Sequence, residues 1–197
     1  NQYLHDLYRF FKLSVRRHEF RDIFKEKLDL HHIPALSNVL YSEDILFPIA
    51  DFYLKKERWN EAIEVYEEME TIGALQGRGA EYYQKLGYAL QKNKKYAEAI
   101  DAYLKADTLK PDNIWNNRHL AICYRLNRNY QAALSYYKKV EEATPEDTNV
   151  IFHIGSCLAE LGQYEEAANY FFKLDFIESN CIKAWRGIGW CSFISRK

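Results

Sequence analysis

The chain has 197 residues, 48% of them hydrophobic, with sixteen tyrosines and a formal charge of −1. That composition is too apolar for a disordered chain, and the near-neutral balance gives no electrostatic reason to expect nucleic acid as a partner. No stretch approaches ~18 uncharged apolar residues, so no membrane span is expected, and the scarcity of glycine (eight) and proline (four) suits a mostly helical chain.

In residues 1–42, Tyr3, Leu4, Leu7, Tyr8, Phe10 and Phe11, then Phe20, Ile23, Phe24 and Leu28, fall at helical spacing. They predict two amphipathic helices joined near 14–17, a degenerate pair that caps the rest of the chain or joins it to further sequence. A helix that folds into a binding groove is the alternative. From residue 43 a pattern recurs. Leu46, Ile49, Ala50 and Tyr53 lead to Trp59, Ala62, Tyr66 and Met69. Tyr83, Leu86, Gly87 and Leu90 lead to Tyr96, Ala99, Tyr103, Ala106 and Pro111. Leu120, Ala121 and Tyr124 lead to Tyr130, Ala133, Tyr137, Val140 and Pro145. Ile151, Ile154, Gly155 and Leu158 lead to Tyr164, Ala167, Phe171 and Leu174. Trp185, Ile188 and Gly189 open a further copy. The repeats span about 43–79, 80–113, 114–147 and 148–181, with a truncated fifth from 182. The chain opens at Asn1 without methionine and closes at Lys197 inside that copy, so it is expected to be an excised fragment of a longer protein.

Ala99, Ala133 and Ala167 recur at one constant step, and an aromatic stands four positions after each. A fixed period of about 34 residues marks a helical solenoid. Each repeat carries one apolar stripe per helix, so two helices pack back to back. Small residues on the first helix (Ala50, Gly87, Ala121, Gly155, Gly189) are expected to face small residues on the second (Ala62, Ala99, Ala133, Ala167) at the crossing. Breaks fall at Asn127-Arg128-Asn129 and Leu161-Gly162-Gln163, where Gly162 suits a left-handed turn. Pro111 and Pro145 stop second helices, and Asp112, Asn113, Asp147 and Thr148 are candidate caps. Two irregularities stand out. The step from Ala62 to Ala99 is longer than the later ones by three, and the excess near Gly73, Gly77 and Gly79 predicts a longer loop or an extended helix. Pro48 should make its helix start late or kink.

These residues resemble the tetratricopeptide repeat family over about 43–197, with several independent slots agreeing in register. The resemblance implies an all-α, right-handed superhelix of helix-turn-helix repeats, an α-solenoid, that serves as a protein-interaction scaffold. It implies that first helices line the concave surface. Projected here, that geometry selects Gln84, Tyr88, Trp115, Arg118, Ile122, Arg125, Phe152, Ser156, Arg186 and Trp190 as a peptide-binding groove. Tyr, Trp and Arg dominate binding energy most often, and about a third of such a set is expected to pack between repeats instead. The basic and aromatic set suits an extended or helical peptide with acidic and apolar residues. Co-chaperones of the family grip a chaperone's C-terminal carboxylate with lysine and asparagine, then asparagine, then lysine and arginine. The equivalent slots hold Phe47 and Asp51, Lys85, Trp115 and His119; then Gln84 and Tyr88, His119, Asn149 and His153; then Arg118 and Ile122, His153, Lys183 and Gly187. None reproduces the clamp, so binding of that tail is disfavoured.

Cys123, Cys157 and Cys191 share one slot in successive repeats and read as small buried packing residues rather than disulfide partners. Cys181, in a connection, is expected to be the most reactive thiol. No Cys/His spacing suits a metal, and His31-His32 is a weak signal. His119 and His153 occupy one slot, roughly toward the groove, where surface hydrogen bonding is expected. Nothing resembles a phosphate loop, a nucleophile elbow or an HExxH helix, and Glu67-Glu68, Glu141-Glu142 and Glu165-Glu166 read as solvated faces. Catalysis, cofactors and metals are therefore not expected, and the short basic pairs Arg16-Arg17 and Lys94-Lys95 do not make a nucleic-acid surface. The expected partner is a protein or peptide. A secretion-type chaperone, or a docking domain of a larger enzyme or membrane-associated protein, is the alternative. The helix from about Ile182 lacks a second helix, and self-association through its apolar face (Trp185, Ile188, Phe193) is expected. The compartment is not legible, with the cytoplasm favoured.

Overall fold

The computed structural model describes residues 43–73 and 78–195, together with Gln2 and Asp6. The helical pair expected over 1–42, with Arg16-Arg17 and His31-His32 in it, lies outside the described residues, as does Gly77. Among the described residues there are nine α-helices and no strand. They fall in two compact units, one ending at Gln76 and one starting at Gly77.

The first unit holds α1 (Glu43–Lys55) and α2 (Trp59–Thr71), packed on each other. Leu46, Phe47, Ala50 and Tyr53 of α1 meet Ala62, Val65, Tyr66 and Met69 of α2, all buried. The Phe47 and Tyr66 rings meet edge-on at 6.1 Å, and the Tyr66 hydroxyl donates to Asp51 at 3.3 Å. Each buried large side chain contributes about 1.5–3 kcal/mol. That burial overrides the late start expected from Pro48: α1 begins at Glu43 and runs through it. Proline removes one hydrogen bond near the helix start, less than the flanking Leu46, Phe47 and Ala50 gain by burial. The three surplus residues of the long step do not extend α2, which ends at Thr71; they fall between Thr71 and Gly79. Gly73 takes φ +68°, whereas Gly79 is already the first residue of the next helix.

The second unit runs α3 (Gly79–Lys92), α4 (Tyr96–Leu109), α5 (Ile114–Leu126), α6 (Tyr130–Ala143), α7 (Thr148–Glu160), α8 (Tyr164–Ile177) and α9 (Ile182–Ser195). Every helix packs on the next, and first helices also touch, α3 on α5 and α7 on α9. The result is an all-α helical repeat solenoid. Its caps follow the sequence signals in part. Asn113 accepts from the Asn116 N–H at 2.9 Å, and Asp147 accepts from Asn149 and Val150 at 3.0 and 3.1 Å. Asp112 instead takes a left-handed φ of 59°, and Thr148 is the first helical residue of α7.

At two of the glycine slots the nearest neighbour is an aromatic ring of the second helix. A Cβ on Gly87 would stand 2.8–3.0 Å from the Tyr103 ring, and one on Gly155 3.0–3.2 Å from the Phe171 ring. The aromatic four residues after each alanine lies across the glycine, so the missing side chain makes room for a ring. Cys181, in the connection before α9, is buried with Ile151, Leu174 and Ala184, yet at 6% exposure it is the most accessible of the four thiols. Cys123, Cys157 and Cys191 are buried too, and all four thiols are free. Burial pushes Cys123 up to about 12 and Cys157 up to about 11.

Candidate functional site

The ten candidate groove residues all belong to first helices: Gln84 and Tyr88 to α3, Trp115, Arg118, Ile122 and Arg125 to α5, Phe152 and Ser156 to α7, Arg186 and Trp190 to α9. Their spacing of three and four along each helix sets them on one stripe, whose edge touches second-helix aromatics: Trp115 lies 6.0 Å from Tyr103 and Phe152 6.1 Å from Phe171.

At the α3–α5 junction the face is aromatic. Tyr88 lies 6.3 Å from Trp115 and 5.7 Å from His119, and Trp115 and His119 are 4.0 Å apart between ring centres. His119 also stacks on Tyr103 at 5.7 Å, and its Nδ1 is 2.8 Å from Gln91 Oε1, which accepts from the Tyr103 hydroxyl at 3.0 Å. The surface role expected for His119 is therefore corrected: it is a half-buried bridge between repeats. Burial, then the nearby Lys92 and Arg118 charges, pushes it down to about 4, so it is neutral at pH 7. His153 repeats the arrangement on Tyr137 at 5.5 Å and is also pushed to about 4, by burial and by Arg125 and Lys183.

Three of the candidates are drawn into the scaffold. Arg118 forms an ion pair at 2.8 Å with Asp147, the residue that caps α7. Burial alone would raise the Asp147 carboxyl, but the Arg118 bond and the N–H groups of Val150 and Asn149 outweigh it and hold Asp147 below its usual value. Arg125 Nε donates to the Tyr137 hydroxyl at 3.4 Å. Ile122 packs against the core around Ala121 and Tyr137. Gln84 is half-buried, and its Nε2 has no hydrogen-bond partner among the described residues.

The other candidates converge at the α7–α9 junction. Phe152, Ser156, Arg186 and Trp190 line one cleft of about 620 Å³ with Phe171 and Gly187 in its wall. Lys183 and Phe193 line it as well, and Lys183 Nζ sits 5.8 Å from the Phe152 ring centre. Sequence reasoning left these two out of the groove. They stand one full repeat after Asn149 and Ala159, so the repeat register held the signal. Glu160 is the acid among the lining residues, against Lys183 and Arg186. Trp190 is 58% exposed, and among the described residues Arg186 makes no ion pair. The cleft thus offers aromatic surface beside two cations, a combination suited to apolar and anionic groups together. Among the described residues no group of three His, Cys, Asp or Glu is placed to hold a metal ion, and no helix is long and apolar enough to cross a membrane.

Family comparison matches models described as tetratricopeptide repeat at residues 46–76, 80–113 and 125–188. Comparison with curated proteins by sequence gives no match. Among solved structures the chain is similar to MamA of MSR-1 (24% identity, TM-score 0.67, covering 82% of this chain and 88% of that one). It is also similar to YrrB, described as a tetratricopeptide repeat protein with an unusual peptide-binding site (20%, 0.69, 82% and 82%). A third is the first such domain of Spaghetti (RPAP3) bound to the HSP90 peptide SRMEEVD (22%, 0.54, 62% and 97%). At these identities the likeness is one of fold.

Proposed function

The chain belongs to the tetratricopeptide repeat family, and on that premise we propose that it is a protein-interaction scaffold whose first-helix face holds a peptide segment rich in acidic and apolar residues. The observation that carries this reading is the α7–α9 cleft, which is lined by Phe152, Trp190 and Phe193 together with Lys183 and Arg186. Aromatic walls supply area at low entropic cost, and the two cations select for acids. Two similar folds are described as peptide-binding, which supports a peptide-binding use of this fold.

The mode differs from a terminal-carboxylate clamp. In the slot triplet nearest the cleft, Arg118 is tied to Asp147, His153 is stacked on Tyr137, and Gly187 lies against the Phe171 ring. Of that set Lys183 is left facing the cleft. Acidic side chains within a segment, rather than a chain end, are the matching ligand.

The test is a library of short peptides graded in acidic and aromatic content, titrated against the full chain by fluorescence anisotropy. Acidic-apolar peptides should bind, more weakly as salt rises. The pair Lys183→Ala and Arg186→Ala should weaken them at least tenfold, about 1.4 kcal/mol. Equal binding by that double variant would refute the assignment.

A further inference from the structure

His119 and His153 hold one position in successive repeats, and each ring lies on a second-helix tyrosine, Tyr103 at 5.7 Å and Tyr137 at 5.5 Å. Their hydrogen bonding differs, because Gln91 and Arg125, which also share one position, bring opposite chemistry. Gln91 Oε1 can only accept. It takes the Tyr103 hydroxyl at 3.0 Å and lies 2.8 Å from His119 Nδ1, so Nδ1 carries the proton and His119 Nε2 is left as an acceptor. Arg125 can only donate. Its Nε donates to the Tyr137 hydroxyl at 3.4 Å, and His153 Nδ1 is buried with no hydrogen-bond partner. A proton on that nitrogen would be a buried donor without an acceptor, set among the charges of Arg125 and Lys183. His153 therefore carries its proton on Nε2. Among the described residues neither Nε2 makes a hydrogen bond, and neither is buried. Stacking takes the ring faces and leaves these nitrogens open at the edge.

We propose that these two rings grip the main chain of the bound segment, His119 Nε2 accepting a backbone N–H and the His153 Nε2–H donating to a backbone C=O. The proposal rests on the reading of the first-helix face as a peptide site and adds to it a contact that the cleft's cations do not make. Both rings border the candidate residues. His119 lies 4.0 Å from Trp115 and 5.7 Å from Tyr88, and His153 lies 5.4 Å from Phe152, which lines the cleft. Two open donors would suit a carboxylate. One donor and one acceptor suit a peptide backbone, which offers both groups at every residue except proline. The pair would hold an extended segment whatever its side chains, while Lys183 and Arg186 select the acids. The residue at the Gln91 position thus sets which end of the hydrogen bond each repeat presents.

Nitrogen-15 spectra of the imidazole rings in the full chain read the tautomers directly. At pH 7 His119 should show Nδ1–H and His153 Nε2–H, and Gln91→Arg, which copies the next repeat, should turn His119 to Nε2–H. The same tautomer on both rings of the wild-type chain overturns the proposal with no peptide involved. The binding probe is an end-blocked peptide of alternating glutamate and phenylalanine, titrated by fluorescence anisotropy together with its single N-methyl derivatives. It carries no side-chain amide, so any such bond is to main chain. One N-methylation should weaken binding about tenfold in the wild-type chain. It should have little effect in His119→Phe, which keeps a ring without Nε2, or in Gln91→Arg. His153→Phe should weaken the unmodified peptide about tenfold with the circular dichroism spectrum unchanged. Binding that needs Lys183 and Arg186 yet ignores N-methylation and both histidine variants overturns this proposal and leaves the cleft reading standing. Binding that responds to the histidines but ignores Lys183→Ala with Arg186→Ala supports the proposal and refutes the cleft's selection of acids. No binding refutes both.

Discussion

Substituting alanine for the slot glycines should have opposite signs in different repeats, although the sequence treats the slots alike. A methyl on Gly87 would stand 2.8 Å from the Tyr103 ring, and ordinary carbon contact is about 3.5–4.0 Å, so the ring must retreat by roughly 0.7–1.2 Å. Tyr103 has nowhere to go. It is fully buried, its hydroxyl is tied to Gln91 at 3.0 Å, and its face is stacked on His119. Overpacking of this kind costs about 1–3 kcal/mol, and alanine returns about 1 kcal/mol of helix propensity. Gly87→Ala should therefore destabilise by up to about 2 kcal/mol. Gly187→Ala should cost at least as much, since its Cβ would stand 2.5 Å from a Phe171 ring that already lies on Gly155. Gly189→Ala meets nothing and should gain the propensity term, about 1 kcal/mol, as slower amide exchange in α9. Urea unfolding followed by circular dichroism measures the first two. A stabilising Gly87→Ala, or a Gly189→Ala at least as destabilising as Gly87→Ala, would refute the ring-on-glycine account.

Glu57, Lys94, Arg128 and Gly162 occupy one turn slot, and all take left-handed φ, at 57°, 64°, 62° and 79°. Left-handed backbone costs an ordinary residue about 1–2 kcal/mol, and glycine's extra unfolded entropy takes back about 0.5–1 kcal/mol; Lys94→Gly and Arg128→Gly should each raise stability in urea by up to about 1 kcal/mol. His119 and His153 are held neutral in the fold, chiefly by burial, at about 4. The unfolded chain then binds more protons below its own value of about 6.5. Stability should fall as pH drops from about 6.5 toward 4, and His119→Gln with His153→Gln should flatten that slope in urea titrations at stepped pH. All four thiols, Cys181 included, should react with a chromogenic disulfide only on the timescale of opening. Fast native labelling of Cys181 would contradict its packing against Leu174.

The candidate site was legible to the extent that the repeat register fixes which residues of each first helix share a stripe. Phe152, Ser156, Arg186 and Trp190 fall together in the cleft for that reason. The ion pair that removes Arg118 was not legible, because Asp147 reads from sequence as a cap and nothing local says that its second oxygen reaches Arg118 of α5. Nor was the bridging role of His119, which depends on Gln91 in the preceding repeat.

By itself the sequence determined the repeat: a fixed period of alanines and aromatics forces paired amphipathic helices, since spacing along a helix decides which residues share a face. Tertiary structure alone decided what each slot meets. Gly87, Gly155 and Gly189 are one position in the register, yet a ring covers the first two and, among the described residues, nothing lies within 4 Å of a Cβ on the third. A period records which residues point the same way. Whether anything stands opposite depends on which helices fold against them.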